Sequence, residues 1–314
     1  MSKTKKRLIF FGVSVLAVIA AAFYLVPKYS AEVHPEVVVT NFAAYDLARA
    51  VVKNADNIDL LIAPGSELHD FEPSPQDLIK MNEAKLFIYN GGESEDWADR
   101  VLETGAFETT DSLRLMDLVD LKEEEVVGGM VVVEEESEED EPEYDEHIWT
   151  SPRNMMVLLD GVADKMRELD IEIDEEKLTD YRAQLQAVDD ELHAVVDGAK
   201  RKEIIVGDRF PFRYLVDELG LEYHAAYPGC AEETEVNARA VAFLEDRIRE
   251  NKIPVVLKTE LSVGWIAKVI ADETGAEILE LNAAHNVSRE DFESGVTYVD
   301  LMKRNVETLR KALN

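Results

Sequence analysis

The sequence predicts an α/β protein of two lobes, each a parallel sheet flanked by helices, with one long helix joining them and a membrane segment at the N-terminus. Three observations lead there. Strand-like and helix-like apolar runs alternate in two separate series, one before Gly92 and one after Lys202. Between the series, a single apolar stripe at helical spacing runs from Leu178 to Val195. Ahead of both, Leu8 to Val26 carries no charge. A chain of 314 residues, 46% hydrophobic, can bury cores for two such lobes.

The N-terminal run follows Lys3, Lys5, Lys6 and Arg7 and stops at Pro27-Lys28. As a helix it would span roughly 28 Å, close to a bilayer core of about 30 Å. Basic residues before it put the N-terminus in the cytoplasm and the rest of the chain outside. Residues 1–32 are therefore expected to be an uncleaved anchor, with cleavage after Ala20-Ala21-Ala22 and secretion as the alternative. No cysteine follows the run closely, which excludes a lipid-modified N-terminal Cys.

The first β-α series places strands at Val37–Val39, Asp59–Ile62 and Leu86–Tyr89, with helices over Ala43–Val52 and from Pro75. Pro at the first helical position after Ser74 suits a helix start. Such β-α-β-α order implies a parallel sheet. Residues 33–172 form this lobe, interrupted by "LKEEEVVGGMVVVEEESEEDEPEYDEH" from Leu121 to His147. So acidic a segment buries too little apolar surface to offset its chain entropy, which predicts a mobile loop over about 120–146.

Asp174 is placed to cap the linking helix of residues 173–200, with Glu175 and Glu176 in its first turn. Leu178, Tyr181, Leu185, Val188, Leu192 and Val195 make its apolar stripe. His193 in this helix is read as surface or structural. Residues 201–314 carry the second series. Its strands are Ile204–Val206, Glu222–Ala226, Val255–Leu257 and Glu277–Leu281. Its helices are Phe212–Leu219, Val236–Glu250, Ser262–Thr274 and a terminal one closing at Leu313. No internal sequence repeat is evident.

Composition limits function. A net charge of −33 excludes nucleic acid as a partner, since phosphate neutralisation needs clustered Lys and Arg. The same charge suits attraction of cations, although a solvated surface also accounts for it. Cys230 is the only cysteine, so no internal disulfide or multi-cysteine zinc site is possible. Any metal site is built mainly from His and carboxylate.

Ligands of open α/β sheets collect at the carboxyl ends of strands. His69 follows the second strand in "PGSELHDFEPSPQDL", and His147 stands in "YDEHIWTSPRN" before a Pro-initiated helix. Asp208 follows a strand in "VGDRFPF", Glu260 in "KTELS" and His285 in "LNAAHNVS". Three imidazoles and two carboxylates thus fall where one inter-lobe cleft could gather them. Neutral imidazole with carboxylate is a ligand set for zinc, or for manganese as the carboxylate share grows.

The segments "TNFAAYDLARAVV", "PGSELHDFEPSPQDL", "LFIYNGG", "DEHIWTSPRN", "TGAEIL" and "TYVDLMKRNVETLRKAL" occur in this order from about Glu36 to Asn314. Together they resemble the solute-binding components of zinc and manganese ABC importers, the cluster A-I metal-binding proteins. The resemblance implies two (βα)4-like lobes on a rigid linking helix, with a four-ligand metal site between them. It assigns His69 as first ligand and His147 as second. The third family ligand is usually a His or Glu, and Gly207 stands at that place with Asp208 beside it. The fourth is usually an Asp or Glu, where Asn282 stands; His285 is the substitute. The ligand set expected is His69, His147, His285 and Asp208, with Glu260 in reserve, for Zn2+ or alternatively Mn2+.

The expected function is capture of a divalent metal and delivery to an ABC permease and its ATPase, by a monomer on the extracytoplasmic face of the membrane. A manganese or iron receptor of the same family is one alternative, and a metal-free adhesion or scaffold protein with a degenerate site is another. A zinc hydrolase would need a free general base at the metal, and only Glu260 is offered. No G-x-S-x-G, Walker or G-x-G-x-x-G element is present, so enzymatic activity is not expected. Trp149 and Phe71 flank the ligand histidines and are expected to pack the cleft floor. His34 is read as incidental, His224 as structural, and Cys230 as a small hydrophobe.

Overall fold

Two four-stranded parallel sheets of the same strand order, 2-1-3-4, organise the chain. The computed structural model describes residues 35–66, 71–105, 107, 109–130, 143–229 and 237–314. The expected membrane segment, His34, His69, Cys230 and the centre of the acidic loop lie outside the described residues. Among the described residues no helix is long and apolar enough to cross a membrane.

The first sheet holds β1 (Val37–Val39), β2 (Ile58–Leu60), β3 (Leu86–Tyr89) and β4 (Asp111–Arg114). Val37 pairs with both Ile58 and Leu86, so β1 is central. Its three valines are wholly buried, as a parallel strand covered on both faces requires. Helices α1 (Phe42–Val51), α2 (Pro75–Glu83) and α3 (Asp96–Glu103) connect these strands. Pro75 does open α2, and Ser74 and Asp77 close a reciprocal capping box there, a device worth about 1 kcal/mol. Sequence reading does not predict β4 or α3. Asp111-Ser112-Leu113-Arg114 has one large apolar residue, because β4 is an exposed edge strand.

Helix α4 (Pro152–Glu168) leads to the linking helix α5 (Glu175–Asp197). Asp174 caps α5, accepting from the N–H groups of Glu176 and Lys177 at 3.1 Å each. All six residues of the predicted stripe are buried. They pack against α1, α4 and the terminal helix α10 (Tyr298–Ala312). Asp46 of α1 fastens this junction: its carboxylate accepts from the Tyr181 hydroxyl, from Arg49 Nε at 2.6 Å and from the Tyr298 N–H at 2.9 Å.

The second sheet holds β5 (Glu203–Phe210), β6 (Glu222–Pro228), β7 (Val255–Thr259) and β8 (Glu277–Leu281). Helices α6 (Arg213–Leu219), α7 (Ala238–Asn251), α8 (Trp265–Thr274) and the short α9 (Arg289–Glu293) complete this half. The sheets share one continuous core, in which Ile88, Leu185, Val206, Leu257 and Val306 belong to a single buried cluster. The linking helix is thus internal to that core.

Candidate metal site

His147 and His285, 138 positions apart by number (285 − 147), meet edge to face, with ring centroids 4.4 Å apart and planes at 81°. One precedes α4 in the first half of the chain, and the other follows β8 in the second. Trp149 packs edge-on against both rings, at 5.6 and 5.2 Å, and is buried, which is the packing role expected of it.

His147 is fully buried and held by Asp145, two residues earlier. One carboxylate oxygen accepts the His147 N–H at 2.8 Å and lies 3.0 Å from ring Nδ1. A carboxylate only accepts, so Nδ1 carries the proton and Nε2 is the nitrogen available to a metal. Burial opposes the charged imidazole, yet Asp145, with Glu146 and Glu124 behind it, raises the His147 pKa overall. Asp145 is in turn positioned from the second half, since Tyr214 donates from its hydroxyl to the Asp145 carbonyl at 2.8 Å. Glu146 turns the other way and bonds Ser94, while its carbonyl accepts from Asn90 at 2.8 Å. The dipeptide before His147 therefore fixes the histidine to both halves. "YDEHIW" carried that signal in its sequence, since an acid two residues before a histidine can reach its Nδ1.

His285 sits on a loop held at several points. Its N–H and that of Ala283 donate to the partly buried Glu260, at 3.1 and 2.7 Å. Ala284 between them takes a left-handed φ of 57°, which turns both N–H groups toward one acceptor. Burial pushes the Glu260 carboxyl up to about 7, against the pull of those backbone bonds. The Asn305 side chain bonds the backbone N–H and carbonyl of Asn282, both at 2.7 Å. Asn286 donates to the carbonyls of Ala63 and Ser66, at 2.9 and 2.8 Å. That last pair ties the His285 loop to the stretch leading into His69, which itself lies outside the described residues.

Asp208 and Gly207 are placed differently. Asp208 accepts from the Thr259 hydroxyl at 3.1 Å and from the Arg209 N–H at 3.0 Å, tying the ends of β5 and β7. Among the described residues it forms no three-donor cluster with His147 and His285. At Gly207 a Cβ would lie 2.7 Å from the backbone of Ala267 in α8, so no side chain fits where the family pattern asks for the third ligand. Gly229 abuts the site instead: a Cβ there would be 3.1 Å from His147 Cε1. Asn282 is buried, and the bonds described at that position are made by its backbone. His224 lies on β6, with Nδ1 3.1 Å from the Gly128 carbonyl.

Comparison with known proteins agrees with this architecture. Residues 37–312 match the family model described as zinc-uptake complex component A, periplasmic. The chain is 32% identical over 314 residues to the high-affinity zinc uptake system protein ZnuA of Bacillus subtilis, covering 95% of this chain and 97% of that one. It is 26% identical to the zinc-binding lipoprotein AdcA of Streptococcus pneumoniae, over 88% of this chain and 55% of AdcA, so it spans about half of that longer protein. The crystal structure of the metal-dependent lipoprotein YcdH from Bacillus subtilis superposes with a TM-score of 0.75 at 27% identity, over 89% of this chain and 100% of that one. With the match running through both sheets, the linking helix and the His147 and His285 segments, the chain belongs to the family of periplasmic zinc-uptake components.

Proposed function

We propose that this protein is an extracytoplasmic receptor that captures a divalent metal, zinc foremost, between its two halves and delivers it to an ABC permease driven by an ATPase. The observation that carries the reading is the His147–His285 pair, one imidazole from each half, with ring centroids 4.4 Å apart. Zinc takes imidazole nitrogen at about 2.0–2.1 Å, and two rings so close can share one ion after small rotations. His69, three residues after Ser66 in sequence, is the third donor in this reading. Asp208 would have to leave the Thr259 hydroxyl and the Arg209 N–H to join them. Residues 33–172 and 201–314 act as the two metal-enclosing lobes on the 173–200 helix, and residues 1–32 tether them to the membrane. The protein acts as a monomer and performs no reaction, so selection rests on ligand type and geometry.

The test is a zinc titration of the full chain, with manganese and iron as competitors. Wild type should bind one zinc tightly, and His147→Ala with His285→Ala should abolish tight binding. Wild-type affinity in the double variant would overturn the assignment, and preference for manganese would move the reading to the manganese receptors of the family.

A further inference from the structure

A second set of donors lies away from this site, where α4, α5 and α6 meet. Asp189 and His193, one turn apart on α5, converge there with Glu218 of α6, and their ligand atoms all lie within 4.8 Å of one another. His193 Nε2 is 3.3 Å from Asp189 Oδ1 and 3.7 Å from Glu218 Oε1. Bonds of about 2.0–2.1 Å at tetrahedral angles give donor–donor separations of roughly 3.3–3.4 Å. Two of the three edges are thus already near the spacing of a zinc site.

The protonation pattern suits a cation. Arg153 Nη2 lies 2.7 Å from His193 Nε2, and a guanidinium only donates, so Nε2 is unprotonated and its one lone pair is held by Arg153, to be released to a metal when that guanidinium leaves. The same nitrogen then cannot donate to the carboxylates. Asp189 Oδ1 and Glu218 Oε1 take no hydrogen bond from an N–H or hydroxyl donor, on side chains only 3% and 6% exposed, and the two carboxyls bear on each other. Buried oxygens in this state carry an unrecovered desolvation cost that a bound cation would remove. Their other oxygens are engaged, Glu218 Oε2 by the Ser151 hydroxyl and Asp189 Oδ2 by Arg153 Nε at 3.4 Å and Gln186 at 3.3 Å.

A positive charge already occupies the mouth of the cluster. Arg153 is 56% exposed and its contacts to Asp189 and Glu218 are long, at 3.4 and 3.9 Å, so once its bond to His193 is given up it can swing to solvent when a divalent ion enters. Burial pushes the Glu218 carboxyl up to about 8, with Asp189 adding to the rise, so an entering divalent ion displaces that proton as well as Arg153. We infer that Asp189, His193 and Glu218 form a second binding site for a divalent transition-metal ion, filled by displacement of Arg153. Such an ion would clasp the linking helix to α6, and through Ser151 to the start of α4, four residues after His147.

The experiment uses the full chain carrying His147→Ala and His285→Ala, so that the inter-half site is disabled whether or not its assignment holds. Equilibrium dialysis against zinc should leave one weaker site. His193→Ala in that background should weaken it by about tenfold or more, as expected for loss of one donor in three. Arg153→Gln should strengthen it several-fold by removing the competing cation. Cobalt(II) in place of zinc should give the visible absorption of a low-symmetry four-coordinate ion, lost in the His193→Ala variant. Because His193 is partly exposed, its replacement leaves the fold intact. No zinc retained in the double variant, or retained zinc indifferent to His193→Ala and Arg153→Gln, overturns the inference.

Discussion

The indole of Trp149 donates from Nε1 to the backbone carbonyl of Ala283 at 2.7 Å. This bond joins the turn that follows His147 directly to the loop that presents His285, and so adds a direct tie between the two imidazole-bearing segments. Trp149→Phe keeps an aromatic ring beside the histidines, deletes the donor and leaves part of the buried indole volume empty. An unmatched buried carbonyl costs roughly 1–3 kcal/mol. The variant should unfold at lower denaturant by about that amount and bind zinc several-fold more weakly with every donor still present. Unchanged affinity with lowered stability would show that the bond serves the fold alone.

Glu260 governs the same loop from its other side. Its two oxygens each take one backbone N–H, from Ala283 and His285. Glu260→Gln keeps the shape but turns an amide N–H2 toward one of those donors, while Glu260→Ala abandons both. Zinc affinity should therefore fall in the order wild type, Gln, Ala. Glu260 acts here as a positioning residue. If instead it supplied a ligand, Gln and Ala would be equally damaging, and calorimetry on the two variants separates these cases.

Legibility of the fold from sequence follows burial. The wholly apolar strands Val37–Val39 and Leu86–Tyr89 were readable because parallel strands covered on both faces leave no polar alternation to confuse the pattern. β4 was not, since an exposed edge strand keeps polar residues on both faces. At the site, His147 and His285 were legible as histidines at strand and helix ends. Of what holds them, only Asp145, two residues before His147, left a mark in the sequence. Asn305 is a fully buried amide among Met302, Val306 and Leu309 of α10, and its position in an apolar face is the one signal that could have exposed it. Glu260 offered only a carboxylate after a strand, which cannot distinguish a ligand from a clamp. The Asp189–His193–Glu218 group has no signature within α5 alone, because Glu218 arrives from another helix.

Glu95 gives the protein a predictable dependence of stability on pH. It is 1% exposed, and burial pushes its carboxyl up to about 7 from an ordinary 4.5, with Glu146 adding to the rise, although the N–H groups of Asn90 and Gly91 both bond it. The native state therefore holds this proton more tightly than the unfolded chain. Its contribution is complete below about pH 4.5 and is lost as pH rises through about 7, by at most on the order of 3 kcal/mol. Glu95→Gln, a neutral isostere, should flatten the fall in stability between pH 5 and 7.5. Denaturant unfolding of both proteins across that range is the measurement, and parallel curves would show that Glu95 is ionised in the native state.

The outcome at Asn282 separates the fold from metal capture. Asn282 stands where the family usually has an acidic ligand, yet its backbone N–H and carbonyl are what bond the Asn305 side chain. Asn282→Ala leaves both bonds possible, because they do not use the Asn282 amide. Asn305→Ala removes both at once and strands two buried backbone groups, at roughly 1–3 kcal/mol each. His285→Ala removes an imidazole that touches His147 and leaves the backbone clamps untouched. Zinc affinity should accordingly fall furthest for His285→Ala, less for Asn305→Ala and least for Asn282→Ala, whereas stability should fall furthest for Asn305→Ala. Asp208→Ala should cost stability at the β5–β7 end more than it costs zinc affinity, since Asp208 bonds Thr259 and the Arg209 N–H. Paired titration and unfolding of the four variants gives two rank orders. Should Asn282→Ala lose more zinc affinity than His285→Ala, the fourth ligand would be the amide of Asn282, and the role proposed for His285 would pass to it.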